Sequence, residues 1–539
     1  MSPTRRVSPR APSLCLLAIL LAPPQARAQF YDPALHALDI APQAIARSPR
    51  LLGMGGLSIS IPDRDASLDL WDLGRIPVGL GFDDTTSTLD LRPGTRALSS
   101  VRSLPAGRER QNLAARSNVA QFEAVYRSRV SESVFGVVGD LSGLRWDRPY
   151  SELSELRQGV LHPEVLAILG GRVPRWFGGQ VSWATHLRVR SENLQDEYRR
   201  IVSNAAGDYL DQAGDLLPPP SEFTPTDVSV NTGAYGFSTA FGIGSRSHLA
   251  LCIEHEGNRI KSTNELQRST SETSEDRPFW VGQATLAGRL GKTLEFGVDG
   301  IGRLSKSEAD WRFSASAGVG TEPLSGRGNL LRREEKASEM RARLRWSPGR
   351  ATFAGALTTA ASRVFVDPPN AGDATAFNRF LNVAFQRSGT DTLAFPDSVV
   401  HHESRRYAVA WVGGASYRLG ATTLGGEFHW SRDLRTSTFA LEGPRRIAWD
   451  ARGGLEHPLG RQMKARAGYA YRFVDEDDLT AGNEYIGHAL SVGVGYAPAG
   501  GRWSMESGYV IELRGEESET PSDERQTRQN LAFQVHWVF

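Results

Sequence analysis

The residues able to carry reactive chemistry are few and scattered in this chain. His401-His402-Glu403 is the one local cluster of histidine and carboxylate. A helical zinc site needs histidines at i and i+4 with a glutamate between them, and three consecutive residues do not give that arrangement. They read as part of a polar loop. Asp63, Asp65, Ser67 and Asp69 stand at alternate positions, like the first half of a calcium loop. That loop needs a turn glycine at its sixth position and a bidentate glutamate at its twelfth, where this chain has Leu68 and Gly74. The acidic run therefore reads as a set of partners for arginine. His186, His429, His488 and His536 occur singly in separate strand-like stretches and read as polar wall residues. No nucleophile elbow, phosphate loop or paired-cysteine motif occurs, and Gly242-Ile243-Gly244 does not open a helix. Neither an enzyme nor a metal or cofactor site is expected.

The informative residues are charged and come in alternation. Lys and Arg number 62 against 61 Asp and Glu, a formal net charge of +1, which excludes the basic footprint of a nucleic-acid binder. Glu339, Arg341, Arg343 and Arg345 alternate with Met340, Ala342, Leu344 and Trp346. Arg446, Asp450, Arg452 and Glu456 alternate with Ile447, Trp449, Ala451 and Leu455; Lys464, Arg466 and Arg472 are set among Ala465, Ala467, Tyr469, Tyr471 and Phe473. Successive side chains of a strand point to opposite faces, so each stretch has one apolar and one charged side. Such strands suit a wall between lipid and a polar lumen. Arg188, Arg190, Arg289, Glu295, Asp299, Arg303, Glu427, Glu506 and Glu512 fall on the charged side as well. Mixed charge there can line an aqueous path or lock into ion pairs around a plug.

The elements that must hold these faces follow one rhythm from about residue 118: strand, tight turn, strand, polar connection. Short turns fall near Val130, Pro174, Gly244, Gly291, Pro348, Gly420, Gly460 and Ala499. Long polar connections run over residues 192–226, 262–277, 306–336 and 367–405. Short turns on one side and long loops on the other are the asymmetry of outer-membrane barrels. Eight hairpins and a final strand make seventeen, and an even count requires an initial strand, expected around residues 85–91. The fold class is thus all-β, a transmembrane antiparallel up-and-down barrel of 14–18 strands, with eighteen the favoured number. Loop lengths vary and no motif recurs, which sets the chain apart from a propeller. A mean hydropathy of −0.35 fits a barrel, since only alternate strand residues face lipid.

Both ends carry export features. Arg5, Arg6 and Arg10 precede an apolar run from Leu14 to Ala22 and the small-x-small site Ala26-Arg27-Ala28, the layout of a cleaved signal peptide over residues 1–28. Cys15 lies inside that run, so Cys252 is the one cysteine expected in the mature chain, and no internal disulfide can form. At the other end, Phe533, Val535, Trp537 and Phe539 share one face and Gln534 and His536 the other. That stretch resembles the C-terminal targeting strand of bacterial outer-membrane barrels, and implies recognition by the barrel assembly machinery.

Residues 29–110 do not follow the hairpin rhythm and are expected to form a plug, leaving 111–539 for the barrel. They contain Gly53-Met54-Gly55-Gly56, Asp63 and Asp65-Ala66-Ser67, then Trp71. By themselves the glycines mark close packing or a turn of the backbone. In order and spacing this resembles the start of the FadL-like superfamily, which includes fatty-acid transporters and PorV-type barrels. Asp72-Leu73-Gly74 stands where those proteins have Asn-Pro-Ala. The resemblance implies an N-terminus folded into the lumen as a plug. Arg341, Arg343, Arg345, Asp450, Arg452 and Arg466 are expected to line that lumen, and opposite charge is expected to dock Asp63, Asp65 and their acidic neighbours against Arg341, Arg343 and Arg345. It also implies a place in the outer membrane of a Gram-negative-type bacterium, with membrane lipids around the wall. The function expected is passage of small, hydrophobic solutes past a plug. The alternative is a non-transporting barrel that holds a secreted protein partner or serves a secretion machine.

Overall fold

A computed structural model of the chain describes a closed barrel of eighteen antiparallel strands. They are β1 (Thr88–Ala106), β2 (Glu109–Val130), β3 (Ser133–Ser151), β4 (Ser154–Trp176), β5 (Gly179–Arg200), β6 (Thr224–Ile243), β7 (Ser247–Leu266), β8 (Ser269–Leu290) and β9 (Leu294–Ala315). The wall continues with β10 (Leu324–Trp346), β11 (Ala351–Asp367), β12 (His402–Leu419), β13 (Thr422–Ser437), β14 (Arg445–Pro458), β15 (Met463–Asp478), β16 (Ala481–Tyr496), β17 (Trp503–Ser518) and β18 (Asp523–Val538). Also described are residues 48–61, a two-residue ladder pairing Val202–Ser203 with Tyr209–Leu210, Ser87, Phe539, and the turns 291–293, 347–350, 420–421, 459–462 and 497–502. Each strand pairs with its sequence neighbours, and β1 closes the wall against β18 in a register that sets Leu89 opposite Trp537.

The five described short turns lie where the turn residues of the sequence place them. Gly291, Gly349, Gly420, Gly460 and Gly500 adopt positive φ there, a conformation that costs glycine nothing. Two expectations need correction. The barrel begins at β1, so the boundary between the N-terminal segment and the wall falls at residues 87–88, not at 110–111. Pro93, Pro105 and the serines at 99, 100 and 103 blur the alternation of β1. The stretches 262–277 and 306–336, read as long loops, are largely strand in β7 to β10. Alternation reports what lies on the two sides of a wall. Above the membrane both sides are wet, so the pattern fades while the hydrogen-bonded ladder continues. Strands of 22 and 23 residues thus greatly exceed the 9–11 or so that a tilted crossing requires.

The outer face of the wall is apolar. Leu187, Phe237, Ile253, Leu344, Leu357, Leu490 and Val492 are exposed on it. Near the short turns, Trp346 stacks on Phe353 and Tyr496 lies against Trp503. About eight to ten residues further along the strands come Tyr235, His255 and Trp280, then Trp411, Phe428, Trp449 and Phe473 in successive contact. Two aromatic girdles bounding an apolar band about 25 Å tall are the signature of a bilayer-crossing barrel. Among the described residues, no helix is long and apolar enough to span a membrane.

Candidate functional site: residues 48–61 docked inside the wall

Residues 48–61 fold into a compact hook. Ser48 caps a single helical turn, α1 (Pro49–Leu52), with its Oγ accepting from the Leu51 nitrogen at 3.2 Å. Pro49 at the first helical position gives up an N–H that would have no partner there in any case. The turn ends at Gly53, and Gly55 and Gly56 follow with φ of 82° and 74°, a left-handed pair that reverses the chain. The Gly56 nitrogen returns to the Leu51 carbonyl at 2.9 Å. The reversal gathers Leu51, Met54, Leu57 and Ile61 into one buried cluster, while Leu52 packs on Val119 and Ala532 of the wall.

The hook lies on the inner face of β12 to β18, and that face is cut away to receive it. A Cβ at Gly468 would sit 2.1 Å from the Gly55 nitrogen; at Gly454, 2.2 Å from the Met54 carbonyl oxygen; at Gly508, 2.3 Å from that of Pro49. Gly53 in turn lies against Gly493, where a side chain on either would meet backbone. Main chain meets main chain, which only glycine permits.

Polar contacts fix the position. The Glu427 carboxylate accepts from the backbone nitrogens of Ser58, Ile59 and Ser60 at 2.8, 2.8 and 2.7 Å, and from both serine hydroxyls at 2.8 Å. His429 Nε2 lies 2.9 Å from the same carboxylate. Successive N–H groups aimed at one anion form a nest, and such charge-assisted bonds are the stronger kind. Arg50 forks onto Glu456 at 2.9 and 3.1 Å, and Arg466 donates to Glu456 at 2.8 Å. Arg452 grips Asp450 and also donates to the Gly56 carbonyl. The Ser491 hydroxyl donates to the Gly53 carbonyl and accepts from the Gly55 nitrogen, and Ser416 donates to the Ser60 carbonyl.

Gly53, Met54, Gly55 and Gly56 are therefore the centre of the dock, and Asp450, Arg452 and Arg466 belong to its receiving wall. Asp63, Asp65, Asp69, Asp72 and Trp71 lie outside the described residues. Arg341, Arg343 and Arg345 line another sector of the lumen and engage Glu339, Asp299 and Glu295 there. Phe533, Trp537 and Phe539 are exposed on the outer face, and Gln534 and His536 reach Asp90 across the closing seam. Glu403, in the wall above the membrane, is held below the usual carboxylate range by hydrogen bonds from Arg405 and then Arg363.

Sequence reading passed over a second luminal network. His186 reaches across β6 to Glu254 at 2.6 Å, with Arg188 at 3.3 Å from the same carboxylate. Glu256 holds Arg303 at 3.2 Å and Asn258 at 2.8 Å. The signal was Gly236, the residue between His186 and Glu254 in register, whose Cβ would lie 2.3 Å from the imidazole. Among the described residues, no group of three His, Cys, Asp or Glu could hold a metal ion.

Fold and dock together define a membrane-spanning barrel of the outer-membrane type with a stretch of its own N-terminal region seated in the lumen. No family model and no curated protein matches the chain. Solved structures that it is similar to include a FadL homologue from Pseudomonas aeruginosa, at 10% identity and a TM-score of 0.38, covering 91% of this chain and 98% of that one. The toluene transporter TodX of Pseudomonas putida gives 11% and 0.36, covering 91% and 97%. The toluene transporter TbuX of Ralstonia pickettii gives 11% and 0.36, covering 92% and 99%.

Proposed function

We propose that this chain passes small solutes, hydrophobic ones among them, across the outer membrane, with residues 48–61 and the acidic stretch that follows acting as the plug. The observation that supports this is the manner of docking. Residues 48–61 contribute no strand to the sheet; they are held by side-chain contacts and by close packing against inward glycines. Such a segment can leave its seat without breaking one strand pair of the wall. Beyond the dock, luminal Arg190 and Arg303 keep 29% and 30% of their side-chain surface, as residues lining a wet path would. On this reading Asp63, Asp65 and Asp69 continue from the hook toward Arg341, Arg343 and Arg345, and opposite charge completes the closure.

The test is removal of residues 29–83, with heat-modifiable gel migration used to verify that the barrel still assembles. Planar-bilayer conductance and solute flux into liposomes are expected to rise well above those of the full chain. Conductance and flux equal to the full chain's would overturn the plug.

A further inference from the structure

The charges at the two ends of the wall are treated differently. Above the upper aromatic girdle most outward cations are matched, Lys261, Arg312 and Arg432 being the exceptions among the described residues. Arg259 faces Asp276 at 3.1 Å, Arg332 faces Glu308 at 3.2 Å, Lys336 and Lys306 share Glu334, and Arg363 and Arg405 share Glu403. At the short-turn end, Lys292, Arg350, Arg418, Arg461 and Arg502 are all exposed, and none has a carboxylate partner among the described residues. They stand in or beside five successive turns. In sequence Arg129, Arg172, Arg175 and Arg246 stand at or beside the other three. Against them are Glu132 in sequence and Glu295, which Arg289 and Arg345 already hold. The whole chain carries a net charge of only +1, so this rim is a local concentration of positive charge.

The rim also lies at a definite depth. Arg418 follows Tyr417, Arg502 precedes Trp503, and Arg350 stands between Trp346 and Phe353, all members of the lower girdle. Aromatic girdles sit at the level of lipid headgroups. Cations beside them are placed where phosphates are, and their long stems reach from the apolar band to that level. We infer that the short-turn rim is a binding ring for anionic phospholipid headgroups of the leaflet it borders.

The test uses the full-length protein in mixed bilayers of phosphatidylcholine and phosphatidylglycerol, with one lipid brominated at a time. In a protein whose other nine tryptophans are replaced by Phe, quenching of the rim tryptophans Trp346, Trp503 and Trp537 reports which lipid lies against them. The ring predicts preferential association of phosphatidylglycerol by about fivefold at low salt, the attraction expected of one surface cation per lipid. The preference should shrink steeply at 1 M salt, where the screening length is about 3 Å. Replacing Lys292, Arg350, Arg418, Arg461 and Arg502 by Gln should abolish it, while replacement of the four arginines by Lys should retain it. Equal quenching by the two lipids with the unaltered protein would overturn the inference and leave the ring to an acidic soluble partner. Undiminished preference in a folded five-Gln variant would overturn it too.

Discussion

The carboxylate of Glu427 lies 2.7 Å from the backbone nitrogen of Ser60, a residue 367 positions earlier in the chain. Around that contact the same carboxylate collects two further backbone N–H groups and two hydroxyls, so one wall residue satisfies most of the polar atoms of a whole turn of the hook. Replacing it leaves three N–H groups facing a hole, each costing about 1–3 kcal/mol if it stays dry. The expected result of Glu427→Ala is therefore release of the hook, with the barrel intact. Ile59, 3% exposed, is the reporter. A cysteine there should react with a water-soluble maleimide at least about tenfold faster in the Glu427→Ala background, as even 1.4 kcal/mol of lost docking would allow. Equal rates would show that the nest does not hold the segment.

A second route to the same release is steric. Gly468→Ala puts a methyl group 2.1 Å from the Gly55 nitrogen, a contact with backbone that no rotamer change relieves. Gly302→Ala adds the same methyl where nothing lies within 4 Å. Only the first should accelerate labelling of the cysteine at position 59, and both should show normal heat-modifiable migration. If the two glycine variants label alike, the inner face of β15 is not the seat of the hook.

The two faces of β10 make a third prediction. Met340 is 57% exposed on the lipid side and lies well inside the apolar band, where a charge costs up to about 2–4 kcal/mol. Met340→Arg should therefore lower the yield of assembled barrel more than Leu344→Arg, which lies two residues from Trp346 of the lower girdle. Arg343 points the other way and pairs with Asp299, both side chains under a tenth exposed. Arg343→Leu should therefore assemble, yet unfold in less urea, because Asp299 is left without that partner. Breaking a buried pair costs roughly 3–5 kcal/mol, and removing both partners recovers much of it. The Arg343→Leu, Asp299→Leu double variant should thus be more stable than the Arg343→Leu single. Additive losses in the urea midpoints would mean that the pair contributes nothing.

How much of this was legible depended on which physical cause left a local trace. The turns at Pro348-Gly349 and Gly460 and the alternation of residues 339–346 are written within a few residues of where they act. The strand count followed from them. The upper halves of β8 to β10 were not legible, because a ladder with water on both sides imposes no alternation. The hook was marked by its glycines, since Gly55 and Gly56 need positive φ. Its receptor was not, because Glu427 looks like any inward charge and its partners are main-chain atoms that carry no residue type. The inward glycines Gly454, Gly468 and Gly508 carry no local mark that sets them apart from the other glycines of the wall. What distinguishes them is the backbone on the far side, which no local pattern records.

The last prediction concerns closure of the wall. Trp537 stands opposite Leu89 of β1 on one side and Trp503 of β17 on the other, and the Phe539 nitrogen donates to the Ser87 carbonyl at 2.9 Å. The final residues therefore do two jobs: they join the two ends of the sheet and they face lipid. An Asp at position 537 or 539 takes an aromatic out of the lower girdle and sets a charge at the edge of the lipid face, a smaller cost than at mid-membrane. It also weakens the pairing that removes two free edges from the wall. On the inward side of the same seam, Asp90 holds His536 at 2.7 Å and Gln534 at 3.2 Å. Trp537→Asp combined with Phe539→Asp should leave almost no heat-modifiable barrel in the outer membrane. Asp90→Asn keeps hydrogen bonding and lies inside, so it should leave yield nearly normal. This contrast separates the lipid face from the seam as such. If Asp90→Asn abolishes assembly while the double Asp variant assembles, the outward face of β18 is not the one that meets lipid.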